Sequence, residues 1–321
     1  MKIFKFLGII LAIVIFVVLG AGLFINFTQP NVGEAPKIIV SSDSITVERG
    51  KYLANHVAVC IDCHSKRDWS LFSGPVVAGT EGSGGEVFDE NAGFPGKIYS
   101  SNLTPAAFSS WSDGEIYRAI TAGVGKDGHA LFPLMAYSRF GKMSIEDIQS
   151  IIAYLRTLKP IKNSIPKTEL DFPVSLLNKL GPKPAEHQVL PDAADSLKYG
   201  GYLVNAAGCV DCHSKQDKGK IVEGTAFGGG MEFVQPAGII RAPNITKHAT
   251  SGIGNWTREM FIAKFKAFEG NTMKVEKGEL NTPMPWKMYS GMTVQDLSAI
   301  YSYLQSLQPI DNQVEVRTYK K

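Results

Sequence analysis

The sequence predicts an all-α chain: an apolar N-terminal helix followed by two tandem helical domains of similar plan. Three observations carry this. Residues 7–25 are apolar and uncharged, the rest of the chain repeats itself at a spacing of 149 residues, and the clearest periodic stretches in both repeats have helical rather than strand spacing.

The apolar run comes first. Fourteen of its nineteen residues are Leu, Ile, Val or Phe, worth about −6 kcal/mol for insertion at roughly −0.4 kcal/mol each. At ~1.5 Å per residue it spans about 28 Å, close to the ~30 Å hydrocarbon core of a bilayer. Lys2 and Lys5 precede it and no Lys or Arg follows until Lys37, so the N-terminus is expected to stay cytoplasmic and the remainder to be exported. A cleaved signal peptide ending near Gly20-Ala21-Gly22 is the alternative; the apolar continuation Leu23-Phe24-Ile25 favours a retained anchor. The expected location is the bacterial inner membrane, single-pass, with both domains in the periplasm.

The repeat sets the domain plan. Gly50-Lys51-Tyr52-Leu53 recurs as Gly200-Gly201-Tyr202-Leu203, and Met143, Asp147, Ile151, Tyr154, Leu155, Leu158, Pro160 and Ile161 have identical counterparts in residues 292–310. The expected segments are 1–27 (tip and anchor), 28–44 (linker), 45–163 (first domain), 164–191 (connection), 192–311 (second domain) and 312–321 (a polar tail expected to fray). The connection carries a short apolar piece at 174–180 expected to pack against a domain. Closing helices are read from apolar residues at 148, 151, 152, 155 and 158, and at 297, 300, 301, 304 and 307. Ser144 with Asp147 and Thr293 with Asp296 read as N-caps with an acid at the third position; Met143 with Ile148 and Met292 with Leu297 read as hydrophobic staples. Middle helices are expected from Ser112 and Thr257. The Gly-rich stretches 74–96 and 219–238 read as loops. Gly50 and Gly200, inside opening helices where Gly costs ~1 kcal/mol relative to Ala, imply a close backbone approach near Tyr154 and Tyr303.

The chemistry lies in Cys60-Ile61-Asp62-Cys63-His64 and Cys209-Val210-Asp211-Cys212-His213, which use all four Cys. Each is a C-x-x-C-H, the signature of covalent haem c attachment: two thiols on one turn form thioethers with the vinyl groups, and the following His reaches the iron. Zinc would want the pairs pooled, and a redox dithiol has no use for the His. Two covalently bound haem c groups are therefore expected, with His64 and His213 as metal ligands. No Cys remains for a disulfide or a lipid anchor.

A second iron ligand decides between electron transfer and an open, reactive site. Met135 and Met284 each lie in a Pro-bearing stretch, 71 residues after their His, and are the expected axial ligands. His129 is the rival in the first site and Met288 the fallback in the second. His56, His187 and His248 lack repeat partners and read as surface or locally hydrogen-bonded. Trp111 and Trp256, at equivalent positions, are either propionate donors or core aromatics. Arg241 is a candidate propionate partner in the second domain. The acidic loop bearing Glu81, Glu86, Asp89 and Glu90 reads as solvated. A net charge of +3 gives no basic footprint for nucleic acid.

These residues resemble the membrane-anchored multi-haem cytochrome c family that includes the cytochrome subunits of bacterial alcohol and gluconate dehydrogenases. The likeness rests on the C-x-D-C-H-S strings, Asn102-Leu103-Thr104-Pro105, Asn244-Ile245-Thr246, Gly252-Ile253-Gly254-Asn255-Trp256, Met284-Pro285-Trp286, residues 296–304 and Leu170-Asp171-Phe172-Pro173. It implies a class I cytochrome c fold for each domain. It also implies a non-catalytic role: passing electrons from a periplasmic or membrane dehydrogenase to a downstream cytochrome, quinone or oxidase of the respiratory chain. Family members commonly carry three haems and often touch the membrane at the C-terminus; this chain has two motifs and an N-terminal apolar segment. A di-haem peroxidase, which needs unequal haems, and a di-haem oxidase subunit are the alternatives.

Overall fold

The computed structural model describes residues 2–270 and 272–320. Met1, Asn271 and Lys321, which fall in the expected anchor, second domain and tail, lie outside the described residues. Lys2–Thr28 is one continuous helix, and its apolar window is not buried in the rest of the chain. A helix apolar on every side and packed inside nothing needs another apolar medium, as a membrane anchor does.

Beyond the anchor, two helical halves share one element order. Each has an opening helix (Ser44–Tyr52; Ser196–Ala207), a short helix bearing the C-x-x-C (Cys60–Cys63; Cys209–Cys212) and a middle helix (Asp113–Ala122; Arg258–Lys266). A short helix after the candidate Met (Tyr137–Phe140; Trp286–Tyr289) and a closing helix (Ile145–Thr157; Val294–Ser306) complete it. The middle helices start where expected: Ser112 and Glu115 form a reciprocal capping box, and Thr257 caps Met260.

The opening helix crosses the closing helix in each half. The glycines explain how closely. A Cβ on Gly50 would lie 1.7 Å from Ser150 O, and one on Gly200 2.0 Å from Ala299 O and 3.0 Å from the Cβ of Tyr303. The first half thus closes on the main chain of Ser150 rather than on Tyr154. Met143, Ile148, Met292 and Leu297 are fully buried, as stapled helix starts require.

One irregularity distinguishes the opening helices of the two halves. From Gly50 to Cys60 is one residue longer than from Gly200 to Cys209. The extra residue is absorbed by a π-helical turn, Leu53–Val57, closed by Ala58 N–H donating to Leu53 O at 2.8 Å. Such a bulge is how a helix accepts an insertion without losing register. Just beyond it, Val59 holds φ +48, matching the φ +70 of Gly208 at the equivalent position.

The all-α expectation needs correction in the Gly-rich loops. Short antiparallel strands form there: Val87–Phe88 with Gly96–Tyr99, which also pairs Glu169–Leu170 of the connection, and Gln216–Asp217 with Lys220–Ile221. Glu232–Gln235 pairs with Gly238–Arg241 and alternates in burial; four residues are too few to register as a period in sequence. The tail does not fray either. Arg317–Tyr319 adds a third strand to this hairpin, and Arg241 N–H donates to Val316 O at 2.8 Å.

The halves meet across a reciprocal seam. Tyr202 of the second half donates to Asp147 Oδ2 of the first at 2.6 Å and accepts from Ser144 N–H at 3.2 Å. Tyr52 of the first half donates to Asp296 of the second and accepts from Thr293 N–H at 3.0 Å. The acids read as capping residues therefore serve the interface, and both are buried. Burial, followed by the adjacent carboxylate, holds both phenols well above their usual range, so they remain donors. The two sites are not equally provisioned. Asp147 also receives Arg49 bidentately at 2.8 and 2.9 Å, whereas the position equivalent to Arg49 is Tyr199. Tyr52→Phe is therefore expected to cost about 1.5–3 kcal/mol, and Tyr202→Phe about 1 kcal/mol, because a charge-bearing acceptor loses more when no second cation holds it. Urea unfolding of the two variants against the parent checks the order.

Candidate haem-binding sites

Each C-x-x-C-H begins from a left-handed residue, Val59 or Gly208, that turns the chain into a single helical turn carrying both thiols. The His that follows is held from two sides. His64 Nδ1 lies 2.7 Å from Ser101 O and His213 Nδ1 2.8 Å from Pro243 O. A carbonyl only accepts, so Nδ1 carries the proton and Nε2 keeps its lone pair. The main-chain O of His64 accepts from Gly84 N–H at 2.8 Å, and that of His213 from Gly229 N–H at 2.9 Å. Burial pulls both imidazoles below their ordinary pKa, which favours the neutral, ligating form.

The Gly-rich loops earn their composition here. Gly84 and Gly229 have φ of +68 and +75, and a Cβ on either would fall 2.5 Å from the main chain of Ser101 or Pro243. Only Gly lets the loop behind the His approach the segment that orients its ring. The residue after each His adds a strut: Ser65 Oγ accepts from Gly82 N–H at 3.0 Å and Ser214 Oγ from Phe227 N–H at 3.1 Å. Asn102 and Asn244 lock the orienting segment to the chain just beyond the closing helix. Asn102 Oδ1 accepts from Thr104 N–H and Oγ1 while Nδ2 donates to Ile161 O at 2.8 Å. Asn244 repeats this with Thr246 and Ile310 O at 2.7 Å.

Met284 and Cys209 share an apolar recess with Ala207, Phe265, Tyr289, Met292 and Ile300. The Met284 loop is clamped by the first half: Ser73 Oγ donates to Met284 O at 2.6 Å, and Asn281 joins Ser73, Trp69 and Leu71. Met288 is buried in the core, its O 2.8 Å from Nδ1 of His56. Met135 packs against the core of the first half at the end of a 3-10 turn, Pro133–Met135. His129 is exposed and its Nδ1 contacts Asp127. His248 is locally bonded, to Ser251 Oγ, whereas His187 is bonded to distant partners, Met143 O and the hydroxyl of Tyr117, which the sequence does not place near it.

Arg139 is a residue that sequence reading missed. It follows the Met135 loop yet reaches the other half, donating to Asn205 O and Ala206 O at 2.9 and 3.0 Å. Its Nε lies 2.6 Å from Asp211 Oδ2, inside the second motif, close enough for an ion pair though not aligned as a hydrogen bond. Its repeat counterpart is Met288, so comparing the halves would have exposed it as a charge without a mate. The first motif's Asp62 is served locally by Arg67 at 3.1 Å, and burial still pushes its carboxyl up to about 6.

The residues fit haem c and not the other readings. Among the described residues no cluster of three or more His, Cys, Asp or Glu is placed to hold a metal, so the Cys pairs are not pooled for zinc. Burial pushes the thiols of Cys60, Cys63 and Cys209 up to about 12, the reverse of an activated dithiol. Among the described residues neither Trp111 nor Trp256 has a hydrogen-bond acceptor for its indole N–H, and both pack partly buried against the core. Arg241 is engaged in its own sheet, with Nε 2.7 Å from Glu232 and Nη1 donating to Glu315 O and Thr318 Oγ1.

The Met loops differ in backbone shape at the residue after the Met. Ala136 holds φ +59 where Pro285 holds φ −79, and its N–H donates to Pro133 O at 2.8 Å. Ala136→Pro, which copies the second half, is expected to cost about 3 kcal/mol or more, whereas Ala136→Gly fits the left-handed angle at no loss. Thermal melts of both variants check this.

Residues 197–308 match the family described as Cytochrome c. The chain is 29% identical over 282 residues to the fructose dehydrogenase cytochrome subunit of Gluconobacter japonicus, covering 82% of this chain and 52% of that protein. It is 26% identical over 284 residues to the alcohol dehydrogenase (quinone) cytochrome c subunit of Gluconacetobacter polyoxogenes, covering 84% and 57%. It is 24% identical over 277 residues to the gluconate 2-dehydrogenase cytochrome c subunit of Pantoea cypripedii, covering 81% and 59%. The chain thus spans a little over half the length of these relatives. Residues 197–308 thus match a cytochrome c domain, the kind of domain that carries covalently bound haem c, in a chain similar for most of its length to dehydrogenase cytochrome c subunits.

Proposed function

We propose that the chain is a membrane-anchored di-haem c-type cytochrome. In this reading it carries single electrons from a periplasmic dehydrogenase towards the respiratory chain and catalyses no reaction of its own. Residues 45–163 and 192–311 are then two class I cytochrome c domains outside the inner membrane, with the N-terminal helix holding them there. The observation that carries the reading is the duplicated cage: both motif histidines are oriented through Nδ1 by a carbonyl and braced by a glycine N–H. Cys60, Cys63, His64 and Met135 would hold the first haem, and Cys209, Cys212, His213 and Met284 the second. When bound, haem c supplies a one-electron iron couple that His/Met coordination shifts towards the reduced form. The residues' part is to fix the imidazoles, present a thioether from a loop that is itself held, and keep water from the recess.

Pyridine haemochrome analysis should count two haems per chain, and the reduced native protein should bind no carbon monoxide. The oxidised protein should show the far-red Met-to-iron band and turn over no peroxide with an electron donor present. Met284→Ala is expected to lose that band from one haem and gain carbon monoxide binding; an unchanged spectrum would refute the ligand assignment. Arg139→Gln removes a cation beside the second motif and is expected to lower the reduction potential of the second haem more than the first, as a spectroelectrochemical titration would read.

A further inference from the structure

The connection between the halves also touches the anchor. Around the short helix Val174–Leu177 and the 3-10 turn Asn178–Leu180 it packs on the N-terminal helix. Leu176 Cδ2 lies 3.8 Å from where a Cβ on Gly22 would sit. Lys179 Nζ donates to the main-chain O and Oδ1 of Asn26 at 3.1 and 2.7 Å. The apolar run ends at Ile25, so with a rise of ~1.5 Å per residue Gly22 lies roughly 4.5 Å inside its outer end. A segment touching the anchor there sits where headgroups give way to acyl chains.

Its side chains suit that depth. Phe172 is 81% exposed, Leu177 50% and Leu180 47%, an arrangement costly in water and favourable in lipid. Lys179 keeps its ammonium on the polar end of the anchor, as an amphipathic side chain does at an interface. The same segment braces the first site: Asn178 Nδ2 donates to Ala130 O at 3.3 Å, and a Cβ on Gly181 would fall 2.6 Å from the hydroxyl of Tyr137 and 4.0 Å from Pro133 Cγ.

We propose that residues 172–180 form a second membrane contact, in which Phe172, Leu177 and Leu180 enter outer-leaflet lipid beside the anchor and seat the Met135 loop at the bilayer surface. The occupant is lipid because the patch is continuous with the helix that the bilayer surrounds. The proposal rests on reading that helix as a retained span, and its test separates the two ideas.

The test uses the full-length holoprotein in liposomes of phosphatidylcholine and phosphatidylglycerol. Spin labels are placed singly at Phe172→Cys, Leu177→Cys, Phe16→Cys and Glu223→Cys, and power saturation compares access to oxygen with access to an aqueous nickel chelate. Labels at 172 and 177 should show an oxygen-to-nickel ratio several-fold above that at 223, approaching that at 16. If 16 reads as lipid while 172 and 177 match 223, the second contact is overturned and the patch is left for a protein partner. If 16 also reads as water, the anchor reading fails and takes the contact with it.

Discussion

The site depends on how close two stretches of main chain can come around a histidine. The imidazole must present Nε2 in one direction, and the chain achieves this by committing Nδ1 to a carbonyl from a segment some thirty residues or more downstream. That segment reaches the His only because Gly84 and Gly229 have no Cβ to hold it off. The Asn-x-Thr clamps at 102–104 and 244–246 then tie the orienting segment to the chain just beyond the closing helix. A loop, a motif histidine and the exit of a core helix are thereby one mechanical unit, and the loops around the histidine need little regular structure of their own.

The seam extends this logic across the molecule. Each half lends the other a tyrosine for a buried carboxylate. The Met284 loop is held by Ser73 of the first half, and the second motif is held by Arg139 from beyond the Met135 loop. Separating the halves would take from each acid its tyrosine donor, leaving Asp147 only its own half's Arg49, and would loosen the loop of one candidate thioether, so the halves are energetically dependent despite sharing a plan.

Much of this was legible in the sequence, for physical reasons. The capped closing helices carry long apolar periods and strong N-caps, signals that local chemistry alone enforces. The motif chemistry was legible because thioether attachment demands a fixed spacing. The small sheets were not, since strands of two to four residues leave no period. The ordered tail was not, because residues 317–319 are polar and are ordered only by the edge strand they meet. The carbonyl partners of the histidines are main-chain atoms, which sequence does not advertise. The sheet partners of Arg241 were not legible either, because a cation near a cofactor-binding loop and a cation clasping a sheet look alike until the partner is seen.

The departures from symmetry fall mostly where the halves touch each other. The ligand cages repeat nearly atom for atom, whereas Arg49 faces Tyr199 as its counterpart, Arg139 faces Met288, and the π turn swings His56 onto Met288 O with no equivalent insertion in the second half. A strictly symmetric seam would be satisfied equally well by two first halves or two second halves from different molecules, because an isologous surface is complementary to itself. The unequal pairs remove that equivalence. Two first halves would bring Arg139 to a partner motif already neutralised by Arg67, and two second halves would leave both Asp211 carboxylates without a cation from across the seam. Coordination favours sameness between the halves and assembly favours difference, and the chain divides its residues accordingly.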